Sequence, residues 1–225
     1  MGAFWSAAAD LVTGAACAGC DRPGLVLCDA CRHALAPDPR PVPSVVPAVA
    51  GLGYDGVVRP VLAGLKEHGR WQLQPPLAHA LAAAACVAAP DGPVALVPVP
   101  STRASRRRRG GDPVGDLVEA AAARLRVVGL DVVVVPALRH VRRVDDQAGL
   151  GVQERGENLA GAFAAKPRRA LRGRSLLVVD DVVTTGATLR ESVRALRSAG
   201  LVTHAAAFVA ATPRRHSGGA SGPRS

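Results

Sequence analysis

The sequence predicts an α/β protein built on a parallel sheet flanked by helices. Four apolar runs of the fully buried strand type alternate with helix patterns, an order that makes parallel sheets with right-handed crossovers. Hydrophobic residues make up 48% of the chain but aromatics only 3%. A core of Val, Leu and Ala is what a sheet covered on both faces uses. At 225 residues there is room for one such domain and a small accessory module.

The elements follow in order. Residues 1–47 hold four of the five cysteines and close in a proline-rich linker, PDPRPVPSVVP. A short apolar stretch, Ala48 to Tyr54, leads to a predicted helix from Val57 to His68. A second helix, Leu77 to Ala88, is mostly alanine and leucine and should be buried, with Cys86 as a small core residue. The predicted strands are Val94 to Val99, Asp131 to Leu138, Ser175 to Asp180 and Val202 to Ala210, the last interrupted by Thr203 and His204. Helix patterns span Val114 to Val127, Gln153 to Ala160 and Thr188 to Ala199. In the third, Leu189, Val193 and Leu196 share one face. From Pro213 the tail has no apolar periodicity and should be disordered. The expected division is a cysteine module with linker over 1–47, a main domain over 48–212 and a tail over 213–225.

The net charge of +10 calls for an anionic partner, a phosphorylated metabolite or a nucleic acid, and composition does not choose between them. Nearly all the basic residues are arginine; only Lys66 and Lys166 are lysines. No apolar run is long enough to span a bilayer, and the first residues lack the basic start of a secretory signal. The expectation is a cytoplasmic protein without membrane insertion.

The segment LLVVDDVVTTGATL, Leu176 to Leu189, has the clearest chemistry. A buried strand ends in Asp180 and Asp181, then turns through Thr184, Thr185 and Gly186 into a helix beginning near Ala187 and Thr188. Such a turn points several backbone N–H groups at one spot, which suits a phosphate monoester beside three threonine hydroxyls. Gly186 permits the close approach or positive φ that the turn needs. The acids would repel a phosphate but suit sugar hydroxyls, lying near a Mg²⁺ held mainly by the diol and pyrophosphate oxygens. Phosphate, vicinal diol and divalent cation in a row describe a phosphorylated ribose.

Two further groups of residues stand out. Cys17-x₂-Cys20 and Cys28-x₂-Cys31 can supply four thiolates to one tetrahedral Zn²⁺, a closed and therefore structural site. Disulfides are the competing use, which a cytoplasmic chain disfavours. The run Arg106, Arg107, Arg108 and Arg109 could track a nucleic-acid backbone, bind a substrate phosphate or be plain surface. With little aromatic interleaving, no base-stacking platform is indicated.

VVDDVVTTGAT resembles the phosphoribosyl-pyrophosphate signature of type I phosphoribosyltransferases. That likeness implies that Asp180 and Asp181 hold the ribose hydroxyls while Thr184, Thr185, Gly186, Ala187 and Thr188 wrap the 5′-phosphate. More widely, the four-cysteine knuckle, Y-D-G-x₂-R-P-x₄-L-K from Tyr54 to Lys66, a P-V-P loop trailed by arginines, Q-A-G-L, E-R-x₂-N-x₂-G-A-F and DDVVTTGAT together resemble the ComF family. These motifs cover nearly the whole chain apart from the tail. ComF-like proteins are linked to DNA uptake in natural transformation and resemble phosphoribosyltransferases in fold.

The resemblance implies a type I phosphoribosyltransferase-like parallel sheet with a small N-terminal zinc-knuckle module. It implies that Pro98, Val99, Pro100, Ser101 and Thr102 form the pyrophosphate loop, and that Arg139 to Gly151 is a mobile loop closing over the substrate. On charge grounds Arg139, Arg142 and Arg143 could neutralise a pyrophosphate leaving group, or form a solvated basic loop. The chain departs from the family at Gly111, where a bulky or ring-bearing residue is common.

Two functions follow. One is phosphoribosyl transfer from 5-phosphoribosyl-1-pyrophosphate with Mg²⁺, catalysed by charge stabilisation and positioning. The other is a non-catalytic module that senses the sugar phosphate and contacts single-stranded DNA or competence proteins. No residue marks an acceptor-base pocket, so the sequence leaves both open.

Overall fold

The structure, a computed structural model, describes residues 16–102, 106–107, 111–142 and 159–212. Eight strands lie among them: β1 (Arg40–Pro41), β2 (Ala48–Gly53), β3 (Val94–Pro98), β4 (Val132–Val134), β5 (Leu138–His140), β6 (Phe163–Ala165), β7 (Ser175–Val183) and β8 (Thr203–Ala211). The helices are α1 (Asp29–His33), α2 (Val58–His68), α3 (Gln74–Ala88), α4 (Pro113–Val127) and α5 (Ala187–Ser198). Six strands make one sheet in the order β1-β2-β8-β7-β3-β4. All neighbours are parallel except β1, which runs antiparallel to β2. The remaining pair, β5 and β6, forms a separate antiparallel ribbon.

The pleat sorts side chains onto two faces with period two. Val94 and Leu96 on β3, Leu177 and Val179 on β7, and Ala205 and Ala207 on β8 pack in one cluster with α2, α3 and α4. Ala95, Val97, Leu176, Val178, Ala206 and Phe208 pack in a second with α5 and the β5–β6 ribbon. The predicted α/β architecture is therefore present, with a helical layer on each face of the sheet.

Several elements differ from the sequence expectation. The predicted strand from Asp131 to Leu138 is two strands in two sheets. The Val135 N–H still bonds to Leu96 O at 2.9 Å, but Pro136 has no N–H and Ala137 N turns back to Val135 O at 2.8 Å. The chain then leaves the main sheet. Ala48 to Gly53, expected only as an apolar stretch, is a strand parallel to β8. β8 starts at Thr203, where its pairing with Leu176 of β7 begins, and Val202 before it is exposed. His204 does not break the strand: its Nδ1 accepts the Leu176 N–H at 3.1 Å where the β7–β8 register shifts. Cys86, expected in the core, is exposed on α3.

The expected helix from Gln153 lies almost entirely outside the described residues, as does the tail from Pro213. Among the described residues no helix is long and apolar enough to cross a membrane.

Candidate functional site

Parallel strands all point their C-terminal ends one way, and ligands of open α/β sheets bind in the crevice there. At that end Pro98 of β3 lies opposite Val179 of β7, and the Val99 N–H bonds to Val179 O at 2.9 Å. The P-V-P loop thus starts one residue away from Asp180. β7 runs on through Val183, and Thr184 to Gly186 turn the chain into α5.

Gly186 stands at the helix start with φ 72° and ψ 8°, the left-handed region that favours glycine. Its carbonyl accepts the Arg190 N–H at 2.9 Å, and Thr185 Oγ1 accepts the Ala187 N–H at 3.3 Å. Arg190 also reaches back to Thr185 O at 3.0 Å, placing a cation beside the turn. The hollow at this turn is lined by Asp180, Thr184, Thr185, Gly186 and Thr188. Helix N-terminal amides, hydroxyls and an adjacent guanidinium form a natural anion cradle.

The two acids are adjacent in sequence but face different neighbours. Asp180 borders the hollow, with partial exposure. Asp181 is 6% exposed and ion-paired to Lys66 of α2. The pleat explains the division, because consecutive strand residues point to opposite faces. Each carboxylate also takes the following backbone N–H, Asp181 N to Asp180 Oδ1 at 2.9 Å and Val182 N to Asp181 Oδ1 at 2.7 Å. Burial, with the Asp181 charge beside it, pushes Asp180 up to about 8; Lys66 only partly offsets this.

The loop Pro98–Thr102 is tied from two sides at Pro100 and Ser101. Ser101 Oγ donates to Asp112 at 3.0 Å, and Asp112 also caps α4 by accepting the Gly115 N–H at 3.2 Å. On the other side His140 Nε2 lies 2.8 Å from Pro100 O, while the His140 ring meets Phe163 edge-on at 4.9 Å. Burial holds the His140 pKa below the ordinary histidine range, and the Arg106 charge adds to this against the Pro100 carbonyl.

Arg139 is exposed on β5, and Arg142 donates to Ala160 O at 2.9 Å. Arg139 thus sits on the ribbon that His140 joins to the P-V-P loop, and Arg142 just beyond its first strand. Arg143 lies outside the described residues, as do Arg108 and Arg109. Arg106 and Arg107 are exposed, Arg106 being 3.7 Å from Asp112. No side chain occupies the space at Gly111, where nothing would approach an added Cβ within 4 Å.

The ribbon is clasped to α5 by a buried carboxylate paired with a half-exposed guanidinium. Glu191, 5% exposed, accepts the Phe163 N–H at 2.9 Å, and Arg194 donates to Phe163 O at 2.9 Å. Arg194 also bonds both Glu191 oxygens at 2.7 Å. Burial raises the Glu191 pKa, but Arg194 and the Phe163 and Gly161 N–H groups outweigh it and leave the carboxyl below its ordinary range.

The four cysteine sulfurs all lie within 4.8 Å of one another, and Cys20 Sγ is 3.7 Å from Cys28 Sγ. Tetrahedral Zn²⁺ with ~2.3 Å bonds separates its sulfurs by roughly 3.8 Å, so the donor set fits. The Cys28 N–H points at Cys17 Sγ at 3.3 Å. Burial raises the Cys17 thiol, yet N–H groups of Cys28, Gly19 and Cys20 overcome it and bring it to about 6. Cys31 is pushed the other way by burial and by the neighbouring sulfurs. Metal binding would remove that conflict by making all four thiolates. Gly19 is required here, since a Cβ would sit 2.8 Å from Cys31 Sγ.

Sequence reading did not single out four of these residues: Lys66, Arg190, Asp112 and Glu191. Lys66 lay inside a quoted motif, Asp112 is the residue that caps α4, and Arg190 and Glu191 are ordinary helix residues until the fold brings them together.

Residues 116–218 match the phosphoribosyl transferase domain family, a segment that begins within α4 and takes in β7, the turn and α5. The chain is also similar to Competence protein F of Haemophilus influenzae, 33% identical over 110 residues. That match covers 48% of this chain and 46% of the relative, so the two are aligned over about half their lengths. The ComF-like reading with an N-terminal four-cysteine cluster stands on these matches and on the sulfur geometry.

Proposed function

We propose that the protein binds 5-phosphoribosyl-1-pyrophosphate together with Mg²⁺ at the C-terminal end of β7. The observation that supports this most is the Thr184–Gly186 turn, a left-handed glycine opening α5 beside Asp180. In this reading the turn takes the 5′-phosphate, with Thr184, Thr185, Gly186, Ala187 and Thr188 supplying donors. Asp180 accepts from a ribose hydroxyl, and Asp181 joins it from the neighbouring face. Residues Pro98 to Thr102 receive the pyrophosphate, with Arg139 on the tied ribbon and Arg142 just after it as the basic groups of that side. Mg²⁺, when bound with the ligand, would offset the pyrophosphate charge.

The chemical step would be displacement of pyrophosphate at C1 of the ribose by a nitrogenous nucleophile. The chain's contribution would be positioning and charge stabilisation rather than covalent catalysis. Zinc would be structural at Cys17, Cys20, Cys28 and Cys31, since four thiolates leave no open position. A part in DNA uptake is proposed from the likeness to Competence protein F. The exposed Arg106 and Arg107 favour a second reading, a sugar-phosphate sensor that contacts single-stranded DNA.

A thermal-shift titration with phosphoribosyl pyrophosphate and Mg²⁺ tests the site. Stabilisation of the wild type and none of the Asp180→Asn, Asp181→Asn double variant is expected. Equal stabilisation of both would remove the assignment. Exchange of labelled pyrophosphate in the presence of nucleobases then separates enzyme from sensor.

A further inference from the structure

Lys66 is one of only two lysines in a chain whose other basic residues are arginine. It sits near the end of α2, is 29% exposed in its side chain and pairs with Oδ2 of the buried Asp181. The other oxygen, Oδ1, already accepts the Val182 N–H at 2.7 Å. A single carboxylate oxygen therefore faces the cation, which suits a compact ammonium better than a two-pronged guanidinium.

The helix that presents Lys66 is held from the cysteine side. Arg70, just beyond α2, bonds to Ala16 O and, at 3.4 Å, to Val26 O of the knuckle. Gly19 of the knuckle lies against Val57 at the start of α2, where an added Cβ would come within 3.3 Å. Cys17, Cys28 and Cys31 belong to the same core cluster as Val58, Val61, Leu62 and Leu65. Lys66 thus enters the acidic pair from a segment that precedes the matched domain, residues 116–218.

Two adjacent carboxylates invite a divalent cation, because metal binding cancels their mutual repulsion. Here one of them is already neutralised. We infer that Lys66 is the resident counter-cation of the acidic pair: standing on Asp181, it keeps a divalent metal from settling on the carboxylates alone. Metal then enters with the sugar pyrophosphate, whose oxygens supply the ligands that the acids withhold. This specificity role rests on the reading of the site as one for phosphoribosyl pyrophosphate.

The test compares Mn²⁺ binding, followed by electron paramagnetic resonance at about pH 8 where more of Asp180 is ionised, in zinc-loaded wild type, Lys66→Met and Lys66→Arg. Without sugar phosphate, Lys66→Met should bind Mn²⁺ at least tenfold more tightly than wild type, while Lys66→Arg stays within about threefold of it. Zinc content and melting temperature close to those of the wild type in Lys66→Met separate such a gain from one caused by freed thiolates or exposed carboxylates. Equal Mn²⁺ affinity in Lys66→Met and wild type would overturn the inference, and so would Lys66→Arg behaving like Lys66→Met. Adding phosphoribosyl pyrophosphate to the wild type tests the underlying site separately: no increase in Mn²⁺ affinity there would count against that site, while the comparison without sugar still decides the role of Lys66.

Discussion

The turn after β7 and the cysteine knuckle are built in opposite ways. The turn, Thr184 to Thr188, is a continuous stretch whose donors come from its own backbone and hydroxyls, with Gly186 in a left-handed conformation. The knuckle draws four sulfurs from two separated pairs and buries three of them in the core that also holds α2. The first shapes a place for a ligand from local geometry. The second brings together sulfurs that burial and mutual proximity set against each other, a conflict that a bound metal would settle. Losing the metal should therefore be global in effect, and altering the turn local.

The largest expected effect is at the knuckle. Cys28→Ser, or stripping zinc with a chelator, should lower the melting temperature by ~10 °C or more, since structural zinc contributes several kcal/mol to folding. Zinc content by elemental mass spectrometry should be one per chain before treatment. An unchanged melting temperature after complete zinc loss would erase the contrast.

Next comes the clasp between ribbon and helix. Glu191→Gln leaves the half-exposed Arg194 without its charge partner and should cost roughly 1 kcal/mol. Because the Glu191 pKa is lowered in the fold, its stabilisation is present above the ordinary carboxylate range and lost as pH falls through the lowered value. The difference in melting temperature between wild type and Glu191→Gln should accordingly shrink below about pH 4.

A comparable effect is expected at the turn itself. Gly186→Val places a β-branched residue at φ 72° and should cost about 1–2 kcal/mol. Zinc content should stay unchanged while phosphoribosyl pyrophosphate no longer stabilises the protein. A loss of zinc in this variant would show that the two regions are not separable.

The mildest test is pH. Asp180 sits at about 8 without ligand, raised by burial and by Asp181. A raised carboxyl favours the folded state when protonated, and that contribution fades as pH rises through about 8. Ligand binding that needs the ionised carboxylate should tighten on the order of tenfold between about pH 6.5 and about pH 8.5. Proton release on binding, read by calorimetry in buffers of different ionisation heat, checks the same point.

What could be read from the sequence follows the same division. The strand, acids and turn of 176–189 were legible because their residues are contiguous, and the knuckle because its paired C-x₂-C spacing suits four sulfurs around one point. Pro136 carried the signal that its strand would break, but the apolar run around it concealed the change of sheet. Cys86 was misplaced because an alanine–leucine helix gives little periodicity to tell its exposed edge from its core. Lys66 on Asp181 and Glu191 on Phe163 join distant parts of the chain through side chains, and no local pattern announces such pairs. Asp180 and Asp181 look alike in sequence, and the pleat together with α2 gives them different surroundings.

The central claim is that the acids and the turn together form the sugar-phosphate site. Calorimetric titration of the zinc-loaded protein with phosphoribosyl pyrophosphate in excess Mg²⁺ addresses it most directly. Saturable one-site binding should appear in the wild type and be lost in the Asp180→Asn, Asp181→Asn double variant, with zinc content unchanged in both. Equal binding by the two proteins, or no binding by the wild type, would contradict it.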